Sequence, residues 1–232
     1  MRLKACIDEK GLGLLRDFDT CTIANAIETF EVRLCNSGFA DSRVRCMFKD
    51  FPPIVGYAAT ARLRTGEPPI VGGIYRERTD WWNSILQVPS PRIVVLEDMD
   101  DSPGVGAFVG GIHAAILKAL GCVGYVTNGA VRELPRVRSL GLQLFAGNVS
   151  VSHAYAHIFD LGSTVKVGGL SVSPGDLLHA DRNGLLSVPK QIAAKIPSVA
   201  TKLRRFEEKL TAFCQSKEFS LDQLRRMLRE AG

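Results

Sequence analysis

Between Ile93 and Phe145 the sequence alternates between short runs rich in β-branched residues and longer stretches with helical periodicity, each closed by glycine. Ile93-Val94-Val95-Leu96 reads as a buried strand. Ile112–Leu120 reads as a helix of Ala, Leu and Ile with Gly121 as its C-cap, and Val123–Val126 as the next strand. Leu134–Leu140 follows as a short helix ending at Gly141, and Leu142–Phe145 as a third strand. Strands joined through helices run parallel, because a parallel pair needs a long crossover, so this stretch predicts a parallel α/β core.

The flanks constrain the rest. Residues 8–30 read as helix broken near Asp19-Thr20, with Thr20 or Thr22 as the second cap. Ile54–Leu63 alternates like a strand, and Trp81, Trp82, Ile85 and Leu86 predict a helix ahead of Pro89 and Pro91. From 160 to 188 the pattern changes to short strands at Val165–Val167, Leu170–Val172, Leu177-Leu178 and Leu185–Val188. Gly168-Gly169, Pro174-Gly175-Asp176 and Asp181–Gly184 separate them, so this part is expected to be antiparallel. Residues 190–214 predict a long amphipathic helix, and Ser220 with Gln223 marks the cap of a last one. The expected organisation is one α/β domain over residues 1–214 and a C-terminal helical extension over 215–232.

Composition narrows the classes of function. With 46% hydrophobic and 23% charged residues the chain is ordinary for a globular protein. No apolar h-region opens it, and no apolar run approaches the roughly 18 residues of a membrane span, so a cytoplasmic protein without a membrane partner is expected. Six cysteines are scattered without a Cys-x-x-Cys pair, which reads as reduced thiols. The net charge is +5 with a pI near 9.0, but the basic residues form no stripe. Arg225, Arg226 and Arg229 read as a solvated helix face, and no nucleic-acid partner is expected.

Two segments carry the candidate chemistry. Gly104-Val-Gly-Ala-Phe-Val-Gly-Gly-Ile-His113 leads into a helix, so its amides form either an anion site or simply a tight strand-to-helix turn. Asn128-Gly-Ala-Val-Arg132-Glu133 follows the strand Val123–Val126 directly. Ligands in parallel α/β sheets sit beyond the carboxyl ends of strands, so both segments can face one pocket. Arg132 suits a carboxylate fork and Glu133 a hard cation, against the alternative of a plain surface ion pair. His113, His153, His157 and His179 are candidate bases or ligands; His153 and His157 stand i, i+4 but lack an intervening Glu and a third zinc ligand. Asp176 and Asp181 occupy turns, where Asp caps backbone. Trp81-Trp82 reads as core or subunit interface, and Cys122 as a small core residue.

Taken together, these motifs resemble one family. Gly121-Cys-Val-Gly-Tyr-Val-Thr-Asn-Gly-Ala-Val-Arg132-Glu133 is similar to the Gly-x-x-Gly-x-Val-x-Asp-Gly-x-Val-Arg-Asp signature of the RraA-like / 4-hydroxy-4-methyl-2-oxoglutarate aldolase family. Val55–Thr60 resembles its Val-x-Gly-x-Ala-x-Thr strand, and Pro174-Gly175-Asp176 with Asp181-Arg-Asn-Gly184 its C-terminal hairpins. The resemblance spans roughly residues 15–205. It implies a swivelling α/β/β sandwich with a mixed-sheet core, assembled as a homotrimer or hexamer. It also implies a lyase that cleaves a small 2-oxo acid with Mg²⁺ or Mn²⁺ and releases pyruvate. Carried onto this chain, Arg132 is the enolate and carboxylate clamp and Glu133 the metal ligand, while Gly110, Gly111, Ile112 and His113 supply loop contacts.

Three positions depart from the family pattern. Glu133 replaces the usual Asp. Gly111 stands 21 positions before the Arg, where aldolase members carry an acid. Asn128 and Asn25 replace aspartates. The loss at 111 is shared with regulator-like members, which keeps a second expectation open: a non-catalytic regulator binding a protein partner such as a ribonuclease.

Overall fold

The computed structural model describes residues 2–70 and 78–229. In chain order it contains α1 (Glu9–Arg16), α2 (Thr20–Glu28), β1 (Arg45–Cys46), β2 (Ile54–Arg64), α3 (Thr79–Leu86), β3 (Arg92–Asp98), β4 (Ala107–Val109) and α4 (Gly111–Ala119). Then come β5 (Cys122–Thr127), β6 (Ala130–Val131), α5 (Leu134–Ser139), β7 (Gln143–Ala146), β8 (Asn148–Val149) and β9 (His157–Phe159). The chain continues through β10 (Val165–Val167), β11 (Leu170–Val172), β12 (Leu177–Asp181), β13 (Gly184–Val188), α6 (Ile196–Cys214) and α7 (Leu221–Arg229).

The main sheet has the order β1-β7-β5-β3-β2-β12-β13, with β9 also paired to β2. Its centre, β7-β5-β3-β2, is parallel, as the strand–helix alternation requires; β1, β9, β12 and β13 pair antiparallel. Both faces of this sheet are covered, which explains why Ile93–Leu96 is apolar without alternation. Val94 and Leu96 point into a core shared with Leu15, Ile23, Trp81, Leu117 and other helix side chains. Ile93 and Val95 point the other way, into a second core with Val165, Val167 and Val172 of the β10–β11 hairpin. Helices, sheet and hairpin thus make the three layers of an α/β/β sandwich. Each large apolar side chain sealed between them contributes on the order of 1.5–3 kcal/mol.

Local chemistry corrects several expected details. The caps of α1 and α2 are Asp8 and Asp19, whose carboxylates accept from Gly11 N at 2.8 Å and Thr22 N at 2.7 Å, rather than Thr20 or Thr22. A carboxylate at the positive end of a helix serves better than a hydroxyl. The helix expected from 190 begins at Ile196, because Pro197 fits only a first turn. Ser220 does cap α7, accepting from Gln223 N at 3.3 Å.

The expected antiparallel strands separate into two hairpins. Gly168 and Gly169, at φ 52° and 79°, close β10 on β11. The Pro174–Asp176 turn carries the chain instead to a different sheet, where β12 pairs with β2 and β13. Five strands of two or three residues escape the sequence pattern: β1, β4, β6, β8 and β9. Three of these, β4-β6-β8, form a small parallel sheet at the carboxyl ends of β3, β5 and β7.

Candidate functional site

The small sheet fixes both candidate segments. Beyond β3 the chain turns on Asp98, whose Oδ2 accepts from Gly104 N at 2.8 Å and whose Oδ1 accepts from Asp100 N at 3.1 Å. Burial pushes this carboxyl above its ordinary range, against the pull of those amides. Next, β4 pairs with β6 at Ala107↔Ala130 and Val109↔Val131, and Arg132 N donates to Val109 O at 3.0 Å. Gly110 is thereby set beside Arg132. A Cβ on Gly110 would stand 3.1 Å from Arg132 Cγ, and one on Gly111 only 2.3 Å from Arg136 Cδ. The two glycines therefore permit the helix start and the Arg132–Arg136 segment to lie in contact.

Gly110 is the N-cap of α4 and offers no side chain to its orphan amides. Glu133, from the neighbouring unit, supplies the missing acceptor: its Oε2 lies 2.9 Å from Gly111 N. Its Oε1 accepts from Arg132 Nε at 3.1 Å and Nη2 at 2.8 Å, and Arg136 Nη1 stands 3.8 Å from Oε2. The Gly111 amide first, then Arg132, hold this carboxyl below the usual range. Glu133 itself sits at φ 54°, a left-handed conformation that costs a side-chain-bearing residue energy and recurs at functional sites.

These groups line one cleft of about 390 Å³, the size of a small-molecule site. Gly110, Gly111, Ile112, His113, Arg132 and Glu133, all proposed from sequence, meet there. Of the other lining residues, Arg78, Trp82, Arg136 and His153 carry polar groups and were not proposed from sequence as part of this site. Arg136 was within reach of sequence reasoning, since it falls one helical turn after Arg132. Trp82 leaves its buried Nε1 without an acceptor among the described residues, while Trp81 is core and meets Phe108 edge-on at 5.3 Å. His153 and His157 part company: His157 begins β9, and the segment before it is not helical, so their spacing places them on no common face. Asp176 and Asp181 cap backbone as expected, accepting from Ser173 N and Asn183 N.

The donor set does not suit a resident divalent ion. Among the described residues no three His, Cys, Asp or Glu side chains converge as a metal cage. Among the described residues Glu133 is the one carboxylate lining the cleft, and both its oxygens are engaged by N–H donors, with the guanidinium groups of Arg132 and Arg136 beside it. Mg²⁺ can take most of its about six oxygens from water and bind through one carboxylate, but here that carboxylate is committed to N–H donors and the guanidinium groups of Arg132 and Arg136 oppose the ion's charge. What the cleft does suit is an anion: a helix start, three arginines against one carboxylate, and an apolar wall of Trp82 and Phe108.

An α/β/β sandwich with an anion-accepting cleft beyond the carboxyl ends of its parallel strands is the class that fold and geometry define. The chain belongs to the RraA-like family, whose model, described as Aldolase/RraA, matches residues 20–186. That family includes aldolases and regulators of RNase E.

Among relatives, a Halalkalibacterium halodurans protein named "Putative 4-hydroxy-4-methyl-2-oxoglutarate aldolase" is 26% identical over 138 residues, 59% of this chain and 60% of that protein. Protein DlpA of Legionella pneumophila is 24% identical over 133 residues, 55% of this chain and 21% of its own length. The chain thus spans less than two thirds of either. Among solved structures, an uncharacterized protein of Pseudomonas syringae superposes with a TM-score of 0.73 at 21% identity, covering 97% of both chains. Streptomyces coelicolor RraAS2, titled an unusual member of the RNase ES inhibitor RraA family, superposes at 0.68 with 22% identity, covering 87% of this chain and 96% of its own. At such identities the superpositions establish the fold alone.

Proposed function

We propose that the cleft is the active site of a lyase that cleaves a carbon–carbon bond of a small 2-oxo acid and releases pyruvate. The observation that carries this reading is the seat of the Glu133 carboxylate. It is a carboxylate held through both oxygens, one accepting from Gly111 N–H at 2.9 Å and the other from Arg132 Nη2 at 2.8 Å. A substrate carboxylate, and the enolate oxygen that appears when the bond breaks, need such donors. Arg132 is the clamp, and the backbone of Gly110, Gly111, Ile112 and His113 is the other half of the anion hole. The positive charge that Mg²⁺ or Mn²⁺ would place against an enolate is supplied by Arg132, Arg136 and Arg78. Glu133 holds Arg132 in place until substrate displaces it.

The exposed apolar side chains of Ile112, which lines the cleft and is 67% accessible, and of Val151, two residues before the lining residue His153 and 95% accessible, support a homotrimer or hexamer in which a second subunit covers them. In the same reading residues 1–214 form the catalytic body, 215–232 an appended arm, and the enzyme works in the cytoplasm. Among the described residues no helix is long and apolar enough to cross a membrane.

The test is pyruvate release from 4-hydroxy-4-methyl-2-oxoglutarate and from oxaloacetate, with Mg²⁺ or with excess chelator, beside Arg132→Ala. Release that falls about 100-fold or more in Arg132→Ala, with its circular dichroism unchanged, is the expected result. No release above background sinks the lyase and transfers weight to a regulator that binds a protein partner.

A further inference from the structure

At the amino ends of the parallel strands, opposite the cleft, lies a second cavity of about 820 Å³, within the range of small-molecule sites. Lys10, Gly13, Leu14 and Asp17, spaced i, i+3, i+4 and i+7, bring one face of α1 and its C-cap to it. The segment Phe51-Pro52-Pro53-Ile54 enters β2 beside them. Lys118 closes α4, and Val123 and Gln143 stand at the starts of β5 and β7. This cavity and the cleft share no lining residue among those described.

Its walls offer apolar surface and few open polar groups. Pro52 and Pro53 have no N–H. Gln143 is buried with both amide atoms engaged: Nε2 donates to Phe48 O at 2.9 Å, and Oε1 accepts from Leu144 N at 2.9 Å. The Ile54 side chain lies across β5, where a Cβ on Gly124 would stand 2.4 Å from its Cδ1. Leu14, on the cavity face of α1, is 42% accessible. Charge comes from exposed side chains: Lys10, Arg16 and Lys118 against Asp17, the one carboxylate lining the cavity among the described residues. Lys118 Nζ donates to Gly141 O at 3.1 Å, and none of the three cations forms an ion pair among the described residues. Gly13 is the telling position. A Cβ there would meet no atom within 4 Å, and its backbone is helical, so neither packing nor conformation asks for a glycine, which weakens a helix. The missing side chain leaves the cavity open along α1.

We propose that this cavity binds a small amphipathic carboxylic acid. Its apolar body lies against Leu14, Phe51 and the Pro52-Pro53-Ile54 wall, and its carboxylate meets Lys10, Arg16 and Lys118. Charge complementarity selects this occupant. A neutral apolar molecule leaves the excess of positive charge unanswered, and a short polar anion leaves the apolar wall in water. One molecule carrying both parts answers both. The site stands apart from the cleft and does not depend on the lyase reading.

The experiment titrates octanoate into the full chain by calorimetry, with 1-octanol as the uncharged control and acetate as the short one. Octanoate is expected to bind with a Kd on the order of 10⁻⁴ M or tighter, and both controls about 10-fold or more weakly than that. Gly13→Leu sets a side chain into the open space. It is expected to weaken octanoate about 10-fold or more while leaving the thermal midpoint unchanged or higher. Joint replacement by Lys10→Gln, Arg16→Gln and Lys118→Gln is expected to weaken octanoate by a similar factor and leave 1-octanol unchanged. Arg132→Ala is expected to bind octanoate as the wild type does; loss of binding there would put the acid in the cleft and overturn the assignment. Absence of octanoate binding, or binding that neither cavity variant alters, overturns it as well. So does an assembly that Gly13→Leu dissociates in analytical ultracentrifugation, since the cavity would then be an interface between copies of the chain.

Discussion

Asn128 grips the end of β3 with both halves of its amide: Oδ1 accepts from Asp98 N at 2.7 Å and Nδ2 donates to Asp98 O at 2.9 Å. The side chain thereby continues the ladder where β5 stops, and it must both give and accept. A carboxylate at this position accepts only, and would face the Asp98 carbonyl, in a place where the Asp98 carboxyl is already raised by burial. Asn128→Asp is therefore expected to destabilise the fold by about 1–3 kcal/mol. Urea unfolding reads this as a lower midpoint at unchanged slope. An unchanged midpoint would mean that the paired contact contributes nothing net.

The free protein is expected to bind Mg²⁺ or Mn²⁺ weakly, because the cleft's one carboxylate is already spent on Gly111 N and Arg132. Titration followed by Mn²⁺ paramagnetic resonance should show no site tighter than on the order of 10⁻⁴ M without substrate. A micromolar site that vanishes in Glu133→Ala would show instead that Glu133 leaves Arg132 for the ion.

The layers of this fold were legible because they rest on period and length. The apolar run Ile93–Leu96 announces a strand covered on both faces, and the glycine-closed helices announce its neighbours. The strands β4, β6 and β8 were not legible, since two or three residues carry no period, and these strands bring Gly110 beside Arg132. The Arg132–Glu133 motif was visible, but what Glu133 touches was not. Its left-handed backbone and its bond to Gly111 N arise from packing between two successive units, across 22 residues of chain that no local pattern reads. His153 was legible as a candidate base or ligand but not as part of this cleft, because its placement depends on Ala154 and Gly106 rather than on any local signal.

Gly111 and Arg136 are expected to be energetically coupled. A Cβ at 111 would meet Arg136 Cδ at 2.3 Å, but the obstacle is a flexible, exposed side chain rather than backbone. Gly111→Ala should therefore cost little stability and should displace the Arg136 guanidinium from the cleft. Substrate KM should rise about 10-fold in Gly111→Ala and in Arg136→Ala alike, and no further in the double variant, a coupling of about 1.4 kcal/mol. Strict additivity of the two effects would show that Arg136 plays no part in binding.

His179 makes stability depend on pH. It is fully buried, with Nε2 3.1 Å from Leu15 O and Nδ1 3.1 Å from Thr20 Oγ1; Asp181 accepts from Thr20 N at 2.9 Å beside it. The Leu15 carbonyl requires the proton on Nε2, so Nδ1 accepts from the threonine hydroxyl and the ring is neutral. Burial lowers its pKa below the ordinary 6.5, with Leu15 O and Asp181 pulling the other way. In the unfolded chain the ring protonates as pH falls through 6.5, while in the folded chain it resists. The unfolded state then binds more protons, so the contribution is complete above pH 6.5 and is lost as pH falls below it, by up to about 1.4 kcal/mol per pH unit. His113, also lowered, adds to the same slope. Unfolding free energies measured between about pH 8 and 5 should decline for the wild type and decline less steeply for His179→Gln. Equal slopes for the two proteins would show that His179 takes up its proton in the folded state as readily as in the unfolded one.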